Sequence, residues 1–349
     1  MKVESVRVSK APADPASLHK KMMQLMSSLW VTRAIGTFAR MEFADAMDGG
    51  AVTPAAIAKP KGLDPARVYR LLRALSTVGI VTEDAQGNFT LTPLGHLLGS
   101  KSPHSMQTAA ILLTEYHADI WAGLDEALVG GTAFEAIKGA PLFDWLAKNP
   151  KEGARFQRMM QEVHGPETPA IVAAYDFSRY QHIIDIGGGN GSLLSAILAV
   201  HQGPRATLFD LPEGIAAAKR GDGGPLPNVT LAAGDVFESV PEGGDLYLLR
   251  HLLHDYADDE VLKILSNIRR AMRPDARVLV LEKTVPVDDT PGPGRWLDLH
   301  VMLLTGGAER TLDEYSKLFA LAGLRLSTHL PTGHPAIEGI EAVAASPAR

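Results

Sequence analysis

The 349-residue chain is predicted to be an α/β protein, with a doubly wound, mostly parallel sheet in its second half and a mostly helical first half. Three observations carry this prediction. From His182 onward, short apolar runs (Ile183 to Ile186, Ala206 to Phe209, Asp245 to Leu249, Arg277 to Leu281) alternate with helix-patterned stretches, as successive βαβ units require. The first of these runs enters a glycine cluster, Gly187-Gly188-Gly189-Asn190-Gly191, which marks a strand-to-helix turn. Before residue 170, apolar residues recur mainly at helical spacing.

Residues 1 to 16 are polar and contain prolines, which suggests a loose arm. Met22, Leu25, Met26 and Leu29 then recur at helical spacing, followed by Trp30, Ile35 and Phe38. This methionine-rich stripe reads either as a buried helix face or as an intersubunit or ligand-facing surface. Thr53 to Gly95 suggests a compact winged helix. Asp64-Pro65 supplies a cap and a proline at the first helical position, and Val68, Leu71, Leu72 and Leu75 mark one apolar face. Ile80-Val81-Thr82 and Phe89-Thr90-Leu91 follow as two strand-like runs around a Gly- and Asn-containing turn. Arg67, Arg70 and Arg73 lie on the polar side of that helix, either as a solvated face or as a DNA-reading face. Residues 106 to 170 are helical and linking, with aromatics at Tyr116, Trp121, Phe134, Phe143, Trp145 and Phe156.

The composition narrows the function classes. A formal net charge of −6 gives no general attraction to polyanions, so nucleic acid is not an expected partner. Cysteine is absent, which removes disulfides, thiolate metal sites and a cysteine nucleophile. No apolar run approaches the roughly eighteen residues a membrane helix needs, and the first twenty residues hold charges rather than a signal core. A cytoplasmic protein without membrane contact is the expectation.

The glycine spacing is informative. Glycines at 187, 189 and 191 follow Asp185, but position 192, where the dinucleotide fingerprint needs a third glycine, is Ser192. A P-loop is also absent. The turn therefore suits a nucleoside without phosphates. Asp210, ending the next apolar run, is placed to accept hydrogen bonds from two ribose hydroxyls. Gly234-Asp235-Val236-Phe237, after the run Val229 to Ala232, offers an acid and an aromatic suited to an adenine.

These residues resemble the S-adenosylmethionine (SAM)-dependent O-methyltransferases of the plant caffeate/flavonoid type and their bacterial counterparts in polyketide and other natural-product pathways. The resemblance spans nearly the whole chain. It rests on Asp185-Ile186-Gly187-Gly188-Gly189-Asn190-Gly191, Phe209-Asp210-Leu211-Pro212, Gly234-Asp235-Val236-Phe237, His254-Asp255-Tyr256 and Gly306-Gly307-Ala308-Glu309-Arg310-Thr311, in that order. It implies a helical, winged-helix dimerisation domain at residues 1–110, linking helices that contribute to the acceptor pocket at 111–170, and a Rossmann-like catalytic domain at 171–349. It further implies a homodimer, a small-molecule acceptor, and SAM as cofactor with S-adenosylhomocysteine as product. No metal is expected, because the sequence offers no H-x-x-x-H or dense acidic ligand set.

By this resemblance Asp185, Gly187, Gly188 and Gly189 hold the methionine part of SAM. Asp210 and Leu211 hold the ribose, Gly234, Asp235, Val236 and Phe237 surround the adenine, and Arg250 is a basic residue near the cofactor. His254 matches the catalytic histidine, and Glu282 and Glu309 match two acids that orient it. Phe156 and Met160 match residues that clamp the acceptor, while His251, Asp255 and His300 are further candidates for the acceptor pocket. The chain departs from the pattern at Tyr256, where the family often has tryptophan. It departs again at Val163 and His164, which replace small hydroxyl residues.

The chemistry fits these residue types. A phenol of pKa about 10 is about one part in a thousand ionised at pH 7, a deficit of roughly 4 kcal/mol. A neutral histidine accepts the proton, and a positioned base contributes about a hundred- to ten-thousand-fold. A carboxylate fixes the imidazole tautomer. His251 lies three residues before His254, and the adjoining Asp255-Tyr256 selects His254 through the family pattern. Two other readings stay open on the residues alone: a SAM-binding relative with changed chemistry, such as a decarboxylase or hydroxylase, and a DNA-binding regulator that senses a small molecule.

Overall fold

The computed structural model describes residues 14–221, 223–288, 290 and 292–345. They form two compact units. One comprises residues up to 122 together with 148–166, and the other comprises 123–147 together with 167–345. The linking region anticipated at 111–170 is thus divided between the two. The polar arm anticipated at 1–16 lies almost wholly outside the described residues.

The first unit opens with helix Pro15–Arg40, whose N-terminus is capped by the Asp14 carboxylate. Its C-terminal end is buried at Gly36, Phe38 and Ala39. At Gly36 the helix approaches helix Gln107–Thr114 so closely that a Cβ would stand 2.0 Å from the Thr114 hydroxyl. Its N-terminal half behaves differently: Met22, Leu25, Met26, Leu29 and Trp30 are all more than half exposed. The methionine stripe is therefore not a buried face within the chain.

The winged helix forms where the sequence places it. Helix Pro65–Ser76 is capped by Asp64, whose side chain accepts the Ala66 N–H, and it buries Val68, Leu72 and Leu75. Strands β1 (Val81–Glu83) and β2 (Phe89–Leu91) pair antiparallel. The turn between them is fixed by Asp84, which accepts the Gln86 and Asn88 N–H groups at 2.9 Å. Phe38, Phe43, Met47, Leu72 and Phe89 pack in one core. The three arginines are exposed; Arg67 pairs with Asp64, and Arg73 lies over the Tyr69 ring. In the same unit, helix Pro150–His164 presents Glu162 to the free N–H groups of Thr108 and Ala109.

The second unit is built on a seven-stranded sheet. Its strands are β3 (His182–Ile186), β4 (Arg205–Asp210), β5 (Val229–Ala233), β6 (Leu246–Arg250), β7 (Arg277–Glu282), β8 (Leu324–Pro331) and β9 (Glu338–Ala344). Their order is β5-β4-β3-β6-β7-β9-β8, parallel through β7 and antiparallel thereafter. The apolar runs read from the sequence are the five parallel strands, and their near-continuous burial at β3, β6 and β7 follows from coverage on both faces. The chain leaves β3 toward β4 on one side and later returns to β6 on the other. This reversal opens a crevice at the carboxyl ends of the strands. Helix Asp258–Ala271 carries Asp258, Asp259 and Glu260 in its first turn, where the helix dipole favours negative charge.

Candidate functional site

Every strand-end residue singled out by sequence lies on the carboxyl edge of the parallel strands. β3 delivers Asp185, which is fully buried, and both its carboxylate oxygens lack a hydrogen-bond partner among the described residues. Burial, reinforced by the nearby Asp210 charge and partly offset by Arg250, pushes its pKa up to about 7. The chain then turns with φ of +68° at Gly187 and +58° at Gly189, values that favour glycine. At Gly188 the constraint is space, since a Cβ would meet Leu208 at 2.3 Å and the Asp185 carboxylate at 2.6 Å.

Asp210, at the end of β4, accepts N–H bonds from Gly189 and Leu211, both at 2.7 Å. These tie it to the glycine turn while leaving further lone pairs on its oxygens. The Leu211 side chain is 44% exposed. Beyond β5, a Cβ on Gly234 would lie 2.5 Å from the Phe209 ring. Asp235 is exposed and accepts the Phe237 N–H, the Val236 carbonyl accepts from Asn267, and the Phe237 ring meets Tyr256 edge-on at 5.0 Å.

The end of β6 carries a second set of polar groups. Arg250 donates to Glu167 at 2.8 Å and to Thr168 at 3.0 Å. His251, whose φ is +48°, places Nε2 2.8 Å from the same Glu167 carboxylate. The next residues, 252 to 256, form a short irregular turn. In it His254 is 7% exposed and its Nδ1 lies 2.6 Å from Glu309 Oε1. Burial disfavours charge on this imidazole, but Asp255, the hydrogen bond to Glu309 and the Glu282 and Glu309 charges outweigh it, so its pKa rises to about 10. Burial and the His254 charge push His300 the other way, down to about 4. Burial raises Asp255 to about 6, against the pull of His254.

Residues 121–325 match the family described as an O-methyltransferase domain, and residues 23–101 match the O-methyltransferase dimerisation domain. The chain belongs to the O-methyltransferase family. It is 37% identical over 338 residues to the phenazine O-methyltransferase PhzM of Lysobacter antibioticus, covering 96% of this chain and 98% of that one. It is also 31% identical to an 8-amino-8-demethylriboflavin N,N-dimethyltransferase of Streptomyces davaonensis, covering 90% and 92%. Among solved structures, an O-methyltransferase from neocarzinostatin biosynthesis in complex with SAM and 2-hydroxy-5-methyl naphthoic acid aligns with a TM-score of 0.78 at 29% identity, covering 90% and 96%.

O-methyltransferases of this family are SAM-dependent, and the residues on the carboxyl edge fit that cofactor. A buried carboxylate with both oxygens unpartnered, as at Asp185, is costly unless a donor or cation meets it. The methionyl part of SAM carries an ammonium group. The glycine turn beside it also leaves backbone space that a side chain would fill.

Glu282 and Glu309 act on His254 in different ways. Glu282 was expected to orient the imidazole, yet it makes no hydrogen bond to the His254 ring. Its Oε1 instead accepts the backbone N–H groups of Leu252, Leu253 and His254 at 3.2, 2.7 and 3.2 Å, and its Oε2 accepts from the Tyr315 hydroxyl. The cause is geometric: β7 ends directly beside β6, so the carboxylate meets the turn's backbone before it can reach the ring. Phe156 and Met160 are half-buried on helix Pro150–His164 of the first unit. Sequence reading missed Tyr315, whose helix pattern reads as plain core. It also missed Glu167, which no motif marks. Asp298 accepts the Glu309 N–H at 3.0 Å.

Proposed function

We propose that the protein methylates the hydroxyl of a hydroxylated aromatic or polyketide-like small molecule, with His254 as general base. The observation that carries this reading is the 2.6 Å contact between His254 Nδ1 and Glu309 Oε1. An ionised carboxylate can only accept, so Nδ1 carries the proton and Nε2 is left as the basic nitrogen once the ring is neutral. Glu309 fixes that tautomer and stabilises the imidazolium formed when Nε2 takes the acceptor's proton. Glu282 serves the base indirectly, through the backbone of its turn. When bound, SAM supplies a methyl on a positively charged sulfur that departs as the neutral thioether S-adenosylhomocysteine. A cation held near His254 would lower its proton affinity and bring its raised pKa back toward a working range.

Asp185 with Gly187, Gly188 and Gly189 would hold the amino-acid part of SAM. Asp210 with Leu211 would hold the ribose, and Gly234, Asp235, Val236 and Phe237 the adenine. Arg250 tempers the negative charge around Asp185. His251, Asp255 and the neutral His300 would face the acceptor.

A homodimer is part of the same reading, supported by the dimerisation-domain match and by the exposed apolar half of helix Pro15–Arg40. We place the enzyme in the cytoplasm, a reducing compartment that suits a chain without cysteine. Among the described residues, no helix is long and apolar enough to cross a membrane.

The test is transfer of labelled methyl from SAM to a panel containing a hydroxyphenazine, a hydroxynaphthoate, a catechol and an aromatic amine. The methylated atom is assigned by NMR, and His254→Gln is run alongside. Transfer to oxygen that fails in His254→Gln supports the proposal. Transfer confined to the amine would replace it with N-methylation, as the name of the riboflavin-related relative describes for that protein. SAM binding with no transfer to any acceptor would favour changed chemistry.

A further inference from the structure

The segment that bears His254 has little regular structure of its own; one short 3-10 turn spans Leu253–Asp255. Five of its backbone polar groups are met by side chains from elsewhere, sorted by type. Glu282 collects the N–H groups of residues 252 to 254. Two of the carbonyls, those of Leu253 and Tyr256, belong to Arg310. This arginine is 2% exposed; its Nη1 donates to Leu253 O at 3.1 Å and its Nη2 to Tyr256 O at 2.8 Å, so one planar group grips the chain on both sides of His254. Nη1 also donates to Ala308 O at 3.0 Å, next to Glu309. The outer face of the guanidinium is met by Asp258, 2.9 Å from Nε and 2.8 Å from Nη2.

We propose that Arg310 is a positioning residue of the methyl-transfer reaction: it locks the turn bearing His254 to the loop bearing Glu309, and so sets the contact between imidazole and carboxylate. This rests on His254 being the base. Lysine cannot reproduce the grip, because a single ammonium has no rigid fork to span three carbonyls and a carboxylate. A buried arginine with a carboxylate partner can also be a mere staple of the fold, and the two roles make different predictions.

The groups that face His254 are Asp255 on its own turn, Glu282 at the end of β7, Glu309 on its loop, His300 on helix Gly294–Leu304 and His251 at the end of β6. Of these contacts, the one Arg310 controls is that with Glu309. Loosening it withdraws one of the interactions that keep the imidazole protonated.

The experiment compares Arg310→Lys with wild type in the full chain, each in a His254 and a His254→Gln background. SAM affinity is measured by calorimetry, turnover on the fastest phenol of the panel above, and the His254 titration by NMR with 15N-labelled histidine. The expected results are a loss of at least about tenfold in kcat in the His254 background and less than about twofold further loss in the His254→Gln background, a non-additivity that residues acting as one unit show. SAM affinity should stay within about twofold, and the His254 titration should move down by about one pH unit or more as its pairing with Glu309 loosens. An equal fold-loss in both backgrounds, or lowered thermal stability with kcat and the His254 titration unmoved, overturns the proposal. Wild-type turnover in His254→Gln itself removes the base assignment, and the proposal with it. Should Arg310→Lys fail to fold, Asp258→Ala replaces it. That side chain is 74% exposed and holds only the outer face of the guanidinium, so a smaller loss of the same pattern is expected. A null effect of Asp258→Ala on both kcat and titration then counts against Arg310.

Discussion

Replacing Asp185 by Asn should stabilise the fold in a pH-dependent way while weakening the donor site. The carboxyl group sits fully buried without a hydrogen-bond partner among the described residues, and burial lifts its pKa from 3.8 to about 7. A folded-state value above the unfolded one means that unfolding releases a proton. Stability is therefore highest below 3.8 and is lost as pH rises from there through 7. Linkage gives about 2 kcal/mol of loss from this one group between about pH 5.5 and about pH 8.5. Asparagine does not ionise and escapes that loss. Any pH-independent cost of burying the amide cancels when the two pH values are compared. Urea unfolding of both proteins at each pH should thus show the variant gaining about 2 kcal/mol on wild type across the interval. SAM affinity should move the other way, falling by about ten- to a hundred-fold, the size of a lost charge-assisted hydrogen bond. A stability gap that does not widen with pH refutes the burial reasoning. A widening gap with unchanged SAM affinity refutes Asp185 as a donor-binding group.

The His254 ion pair gives the same sign at higher pH. Its pKa is raised from 6.5 to about 10, so its contribution is complete below 6.5 and lost as pH rises through 10. The melting-temperature gap between wild type and His254→Gln should narrow over that range, and a constant gap contradicts the pairing. Gly307→Ala should depress kcat about a hundred-fold with SAM binding retained, because its Cβ would stand 2.0 Å from His254 O and 2.5 Å from the Asp255 carbonyl carbon, displacing His254, the proposed base. Wild-type turnover in that variant would show that the turn tolerates the shift. Met26→Asp combined with Trp30→Asp should leave a protomer-sized mass in light scattering at micromolar concentration; an unchanged dimer mass would move the interface off this helix.

What could be read from the sequence is what local chain geometry controls. The glycine turn after Asp185, the strand-end acids and the winged helix each depend on neighbours within a few residues, and each stands where periodicity and turn chemistry put it. The meeting of His254 and Glu309, 55 residues apart, was visible only through a family resemblance. The partners of Glu282 and Arg310 were not visible at all. They depend on which strands lie side by side and where an irregular turn turns its carbonyls, which no residue pattern encodes. Strands β8 and β9 were overlooked because they lie antiparallel beyond the alternating βαβ pattern. The methionine stripe was ambiguous for another reason. Helical spacing shows which residues share a face but not what that face meets, and a surface completed by a second copy reads the same as a core.

The proposed base, His254, stands on a turn braced from β7 and from the 309–310 loop, whereas the glycine turn, Asp210 and Asp235 lie at the ends of β3, β4 and β5. On the proposed function, donor recognition and proton abstraction are written in separate stretches of chain. Mutational drift can retune or abolish the second while the first stays intact. A scaffold divided in this way can pass from phenols to amines, which need less help to lose a proton, or to acceptors that need none, without relearning how to hold its cofactor.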